Sequence, residues 1–337
     1  MKNKRPTLDD VAKRAGVSKS AAAAIFVQKQ STVRVSPETR SRILLAAQEM
    51  NYRPNAVATS LRRQSTNTIG YYTGYVTVDL RVPFHNHLLN GIRQACDEQK
   101  RHLLLQGTFP DTPIEQIYND LTDGKIDGLI LHSHAGHPIL DYLRQDRLPV
   151  ISIAEKLAGF SAVTIDDAGG SNSIAEHLHA LGHRHILYRA PGDVHTTSQR
   201  YPQFMTMASE LGMEVVRDSH LGSFGEVSAM EEELLRSGGR SHPTAIVCWN
   251  DLFAHQFMRH CKKNGIKIPD DLAVTGFDGY APHPFFEAAP AYELTTIRVP
   301  WVEIGRIAAQ LLLKQIGGAE IPLETLVPVE FVCGTTS

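Results

Sequence analysis

Cysteine is scarce and scattered. The 337 residues hold four, Cys96, Cys248, Cys261 and Cys333, with no C-x-x-C pair among them. That argues against a zinc site, provides no disulfide framework, and fits a reducing compartment. Long apolar runs are missing too: none approaches the ~18 residues that span a bilayer. The basic start Met1-Lys2-Asn3-Lys4-Arg5 is not followed by an apolar stretch. No secretory leader is therefore expected, and the cytoplasm is the expected location. The phosphate loop GxxxxGK[ST], the nucleophile elbow GxSxG and the HExxH pattern are all absent. The expectation is a protein that is not an enzyme and carries neither cofactor nor metal.

What is present is a globular composition, 42% hydrophobic and 21% charged, in a chain long enough for two or three domains. The net charge of −2 hides an asymmetry. Residues 1–63 carry 13 Lys and Arg against 4 Asp and Glu, leaving 21 against 32 for the remainder. A basic head on an acidic body points to nucleic acid bound by the head, because the body would repel phosphate.

The head reads as short helices. Thr7-Leu8-Asp9-Asp10 has the form of a capping box, followed by Leu8, Val11, Ala12 and Ala15 at helical spacing. Gly16 ends that helix, and Ser18 is a good N-cap for a second one carrying Ala21, Ala22 and Ile25. Two short helices about a glycine turn have the layout of a helix-turn-helix. Ser36-Pro37 opens a third, with Ile43, Leu44, Ala47 and Met50 as its apolar positions. Ala56–Leu61 suits a fourth, very short helix, and 62–68 a polar linker. From Ile69 onward, apolar runs alternate with helical patterns. Strands are expected at 69–76, 102–106, 128–131, 150–153, 185–188, 245–248 and 272–275. Helices are expected to begin near Phe84, Pro113, Pro138, Ala168, Ser198, Val227, Asp251 and Trp301. This alternation implies parallel sheets covered on both faces, in two α/β lobes.

Three stretches of the head, Thr7–Ser18, Val35–Arg40 and Asn51–Ala58, resemble the LacI/GalR family of transcriptional regulators. So do Ile69-Gly70, Asp127–Ile130, Leu181–Arg184, Trp249-Asn250-Asp251 and Gly276-Phe277-Asp278, in the expected order over essentially the whole chain. The resemblance implies a small all-α helix-turn-helix head (1–53), a hinge helix and linker (54–68) and an α/β, periplasmic-binding-protein-like body for effector binding and dimerisation (69–337). Lobe one of the body would cover about 69–166 and 298–326, and lobe two about 167–297 and 327–337. The implied function is a repressor that binds palindromic operator DNA as a homodimer under the control of a sugar or related metabolite.

One departure matters. Where the family's recognition helix usually runs Thr-Val-Ser-Arg, this chain has Ala21, Ala22, Ala23 and Ala24. Base readout would then lean on Lys19 and Ser20, with Ala24 against a thymine methyl. Thr7, Ser18, Lys29 and Arg34 are the expected phosphate contacts, with Asn55 at the start of the hinge helix. The resemblance puts Leu61 at the position of the leucine wedge that kinks the minor groove. For the effector it implies Arg200, Asn250 and Asp278. Gly74, Tyr75 and His132 lie just past strand ends of lobe one, and Phe224 is placed to stack on a ring. An Arg fork suits adjacent hydroxyls or a carboxylate. His177, His179, His183 and His185 look like a metal cluster, but Gly182 interrupts the helix there and a structural role is expected. Two rival readings are a solute-binding protein and a sugar- or nucleoside-processing enzyme.

Overall fold

The computed structural model describes residues 6–26, 34–55, 60, 63, 65–75, 78, 80–107, 111–191, 199–218, 227–237, 242–280 and 293–337. The chain divides into two compact units at Thr68–Ile69, with the short stretch Gly124–Ile126 grouped with the first.

The first unit holds α1 (Leu8–Ala15), α2 (Lys19–Phe26) and α3 (Pro37–Glu49). The capping box is present: Asp10 N–H donates to Thr7 Oγ1 (3.3 Å), and Thr7 N–H donates back to the Asp10 carboxylate (2.9 Å). Gly16, at φ 62°, takes the left-handed conformation that stops α1. Ser18 Oγ accepts from Ala21 N–H (3.2 Å) and Ser36 Oγ from Thr39 N–H (3.3 Å), opening α2 and α3. Val11, Ala12, Ala15, Ala22, Ile43 and Ala47 form the core of this unit. One expectation fails. Leu44 is 46% exposed, and Ala46 takes the inward place. The buried face runs 43, 46, 47, the i, i+3, i+4 stripe, which leaves Leu44 outside it. The Arg14 guanidinium bonds the Glu49 carboxylate (2.9 Å), tying the ends of α1 and α3. Of the expected fourth helix, Ser60 is described and helical; Leu61 lies outside the described residues.

The second unit runs β1 (Thr68–Thr73), α4 (Pro83–Glu98), β2 (His102–Leu105), α5 (Ile114–Thr122), β3 (Gly128–His132), α6 (Ile139–Leu143), β4 (Val150–Ala154) and β5 (Ser161–Ile165). It continues with α7 (Asp167–Ala180), β6 (His185–Arg189), α8 (Arg200–Glu210), β7 (Glu214–Asp218), α9 (Ala229–Ser237), β8 (Ala245–Cys248), α10 (Asp251–Lys263) and β9 (Ala273–Thr275). It closes with β10 (Thr296–Arg298), α11 (Trp301–Ile316), β11 (Glu324–Val327) and β12 (Glu330–Val332). One sheet has the order β11-β5-β4-β3-β1-β2 and a second β7-β6-β8-β9, while β10 and β12 pair antiparallel. The pairings β1–β3, β3–β4, β4–β5, β5–β11, β6–β7, β6–β8 and β8–β9 are all parallel. The expected α/β class with parallel sheets is what the chain forms. No helix among the described residues is long and apolar enough to cross a membrane.

Helices α4 and α11 cross backbone to backbone. A Cβ at Gly91 would lie 1.8 Å from the Val302 carbonyl oxygen, and one at Gly305 would lie 2.2 Å from that of Leu88. Only glycine permits this approach. Near the N-terminal ends of the same two helices, the Phe84 and Trp301 rings meet edge to face at 4.7 Å.

Candidate functional site

Strand ends of the two parallel sheets converge on a cavity of about 400 Å³, within the range of small-molecule sites. One wall is aromatic. Tyr75 packs on the His132 ring (4.6 Å between centroids), His132 on Phe84 (4.8 Å), and Phe84 on Trp301. Trp249 and Tyr280 add to the lining, so both tryptophans of the chain border this one space. Burial, reinforced by His85, holds His132 neutral, its pKa lowered to about 3. Its Nδ1 shares a hydrogen bond with Thr73 Oγ1 (3.3 Å).

The polar wall centres on Arg200, which is 6% exposed. Its Nε donates to Asp167 (2.7 Å), one terminal nitrogen to the Trp249 carbonyl (3.0 Å) and the other to Asp278 (3.3 Å). The guanidinium also lies over the Phe277 ring at 3.7 Å. Burial would lower its pKa; Asp167 and Asp278 override that and hold it above the ordinary value. Burial outweighs Arg200 at both carboxylates. It raises Asp167 and pushes Asp278 up to about 7. The third lining carboxylate, Glu155, accepts from the Tyr75 hydroxyl (2.8 Å), which burial and that carboxylate keep protonated.

Two sequence motifs lock together to hold Asp278. Asp251, of Trp249-Asn250-Asp251, is fully buried; it accepts from Tyr280 N–H (2.6 Å) and Thr296 Oγ1 (2.6 Å), while its own N–H donates to the Phe277 carbonyl (2.8 Å). Its carboxyl fills the space beside Gly276, where a Cβ would sit 2.2 Å from Oδ1. Asn250 caps α10 by accepting from Phe253 N–H (2.9 Å). Ala154 and Asp278, two non-glycine residues with φ of 65° and 112°, both line the cavity. Backbone held in this region costs on the order of 1–3 kcal/mol and concentrates at functional sites.

Of the residues expected at the effector site, Tyr75, His132, Arg200, Asn250 and Asp278 line this cavity. Gly74 is not among the lining residues; Ser133 and His137 crowd its Cα. Phe224 lies outside the described residues. The sequence reading missed Asp167, Glu155, Phe84, Tyr280 and Trp301 as site residues. Asp167 and Glu155 follow the ends of β5 and β4, where ligand groups gather in parallel sheets, so recognising β5 would have pointed to Asp167.

In the first unit, Lys19 and Ser20 are exposed at the start of α2. Ala22 is fully buried, whereas Ala23 and Ala24 share a face with Ser20 and are only half-buried. The Thr7 and Ser18 side chains are engaged in caps. Arg34 and Asn55 are exposed, and Lys29 lies outside the described residues. The four clustered histidines do not converge. His177 bonds Ser337 (2.9 Å), His183 bonds Thr244 (2.8 Å) and His185 meets Glu214 (3.1 Å).

Residues 7–55 match the family of bacterial regulatory proteins of the lacI type, and residues 175–337 match a periplasmic binding protein-like domain. The chain is 31% identical over 310 residues to the HTH-type transcriptional regulator DegA of Bacillus subtilis, covering 89% of this chain and 88% of that one. It is 28% identical to the HTH-type transcriptional repressor PurR of Photobacterium profundum, covering 92% of each. Among solved structures it resembles the lac repressor dimer bound to operator and the anti-inducer ONPF (TM-score 0.81, 23% identity, 99% of each chain). It also resembles a complex of the transcriptional regulator CelR with cellobiose (TM-score 0.68, 25% identity, 99% and 100%).

Proposed function

Because this chain belongs to the LacI family of bacterial regulatory proteins, we propose that it is a cytoplasmic repressor whose grip on palindromic operator DNA is set by a small ligand, a sugar or sugar derivative, in the cavity around Arg200. The chain works as a homodimer, since one helix-turn-helix spans too few base pairs for useful selectivity. Its working divisions are the head 1–53, the hinge 54–68 and the two-lobed body 69–337. Lys19, Ser20 and Ala24 read bases. Thr7, Ser18, Lys29, Arg34 and Asn55 meet the backbone, and Leu61 wedges the minor groove. The cavity binds its ligand and does not turn it over.

One observation carries this reading. A single chain joins a helix-turn-helix with an exposed Lys19-Ser20 start to a buried Arg200–Asp167–Asp278 set bordering a ligand-sized space. Ligand that favours one arrangement of the body shifts the population competent for DNA. The test is recovery of bound duplexes from a random library by the full-length protein, repeated with sugars present. A two-fold symmetric consensus whose recovery changes with one sugar is expected. A consensus without symmetry would sink the dimer, and indifference to every ligand would sink the control.

A further inference from the structure

We infer that the cavity selects an uncharged, hydroxyl-rich ring and rejects its phosphorylated or carboxylated counterparts. This rests on the reading of the cavity as the ligand site.

The charge inventory carries the argument. Arg200 is the only Lys or Arg among the described residues lining the cavity, against three carboxylates, Glu155, Asp167 and Asp278. Arg200 is not waiting for an anion. Its Nε and both terminal nitrogens already donate, two of them to those carboxylates, and its face is covered by the Phe277 ring. A ligand carboxylate or phosphate would have to displace Asp167 from a buried cation, leaving that carboxylate unpaired in an apolar surround, or crowd the acidic Asp278 beside it. That exchange is costly where water is excluded. The His132 ring, held neutral, does not make up the missing positive charge. Carboxylates that already pay for Arg200 still have oxygen lone pairs that accept from ligand hydroxyls at no charge cost.

The aromatic wall fixes the rest of the chemistry. Phe84, Trp301 and Tyr75 offer ring faces and edges suited to the apolar side of a saturated or aromatic ring. A ligand that meets both walls has a flat apolar side and a rim of donors. Free sugars and nucleosides share that chemistry.

The experiment uses the full-length protein and its intrinsic tryptophan emission, since Trp249 and Trp301 are its only tryptophans and both line the cavity. The probes are neutral pentoses, hexoses and disaccharides, their phosphate esters, the matching uronic and aldonic acids, and nucleosides. The expected result is that an uncharged member changes the emission, and that its phosphate or acid binds on the order of a hundredfold more weakly. The Asp167→Asn variant, which removes one negative partner of Arg200, should shift that ratio towards the anion by about tenfold, a change that a merely structural role for Asp167 would not produce. An acid or phosphate that binds as tightly as its neutral parent overturns this inference and leaves the cavity as the ligand site. Silence from every class of probe overturns both.

Discussion

Asp278 shows how burial sets the behaviour of a single side chain. Its carboxyl is held protonated up to about pH 7, while the unfolded chain gives up that proton near pH 4. Between those values the native state binds more protons than the unfolded state, so this residue's contribution to stability is full below pH 4 and declines as pH rises towards 7. The slope is at most ~1.4 kcal/mol per pH unit. Asp167 is raised as well and acts in the same sense. We expect Asp278→Asn to flatten the dependence of Tm on pH between 4 and 7, checked by thermal melts at matched ionic strength. An undiminished slope would show that other groups carry it. A second prediction concerns α2. Lys19→Ala should relax preference at one base position in each half-site, at a cost of about 1–3 kcal/mol. The check is binding to single-base operator variants at two salt concentrations. A uniform loss across all variants would make Lys19 a phosphate contact. Both residues were visible in the sequence, Lys19 by its place ahead of the alanine run and Asp278 by its motif. What the sequence could not display was that Arg200 is already paired with Asp167. That pairing joins residues 33 apart, and Asp167 gains its place only when β5 does.

The crossing of α4 and α11 determines the aromatic wall. Gly91 and Gly305 let the two backbones touch, and Phe84 and Trp301 stand at the N-terminal ends of these helices. Gly305→Ala should force the helices apart, destabilising the body by about 1–3 kcal/mol, as overpacking does. It should also weaken any ligand that stacks on Phe84 and Trp301. Urea unfolding and tryptophan emission read the two effects separately. Lost stability with unchanged ligand affinity would mean that the wall does not depend on the crossing. At this scale the long, strongly patterned elements were legible: all eight expected helices of the body begin within two residues of their sites. The strands β5, β7, β10, β11 and β12 were not. β10 and β12 are three residues long, and the edge strands β7 and β11 are half exposed, as in Glu214-Val215-Val216-Arg217. Edge strands lack the continuous apolar run that marks a strand buried on both faces. In α3 the error ran the other way. Leu44 read as core, yet it faces outward beside Leu45 because small residues fill the inward stripe.

For the molecule as a whole, control of DNA by a cavity ligand obeys a constraint that no local contact can evade. If ligand changes operator affinity by some factor, operator must change ligand affinity by the same factor. Such factors typically fall at about 5- to 150-fold, or 1–3 kcal/mol of coupling. The measurement starts with the neutral sugar or nucleoside that most changes the emission of Trp249 and Trp301. Its Kd is determined by calorimetry on the full-length protein alone and again with saturating operator duplex. Operator affinity is then measured with and without that ligand, at the same salt, because phosphate contacts make it steeply salt-dependent. The two ratios should agree. Arg200→Ala should abolish ligand binding, and the coupling with it, while operator affinity in the absence of ligand stays within a few-fold of the parent, since the substitution removes charged hydrogen bonds worth about 1.5–3 kcal/mol each at the cavity. A variant that loses operator affinity to the same extent as ligand affinity would show that the Arg200 set holds the DNA-competent arrangement even without ligand. In that case the cavity would be part of the switch itself, and the ligand would act by rearranging the Asp167 and Asp278 pairs rather than by filling an empty space.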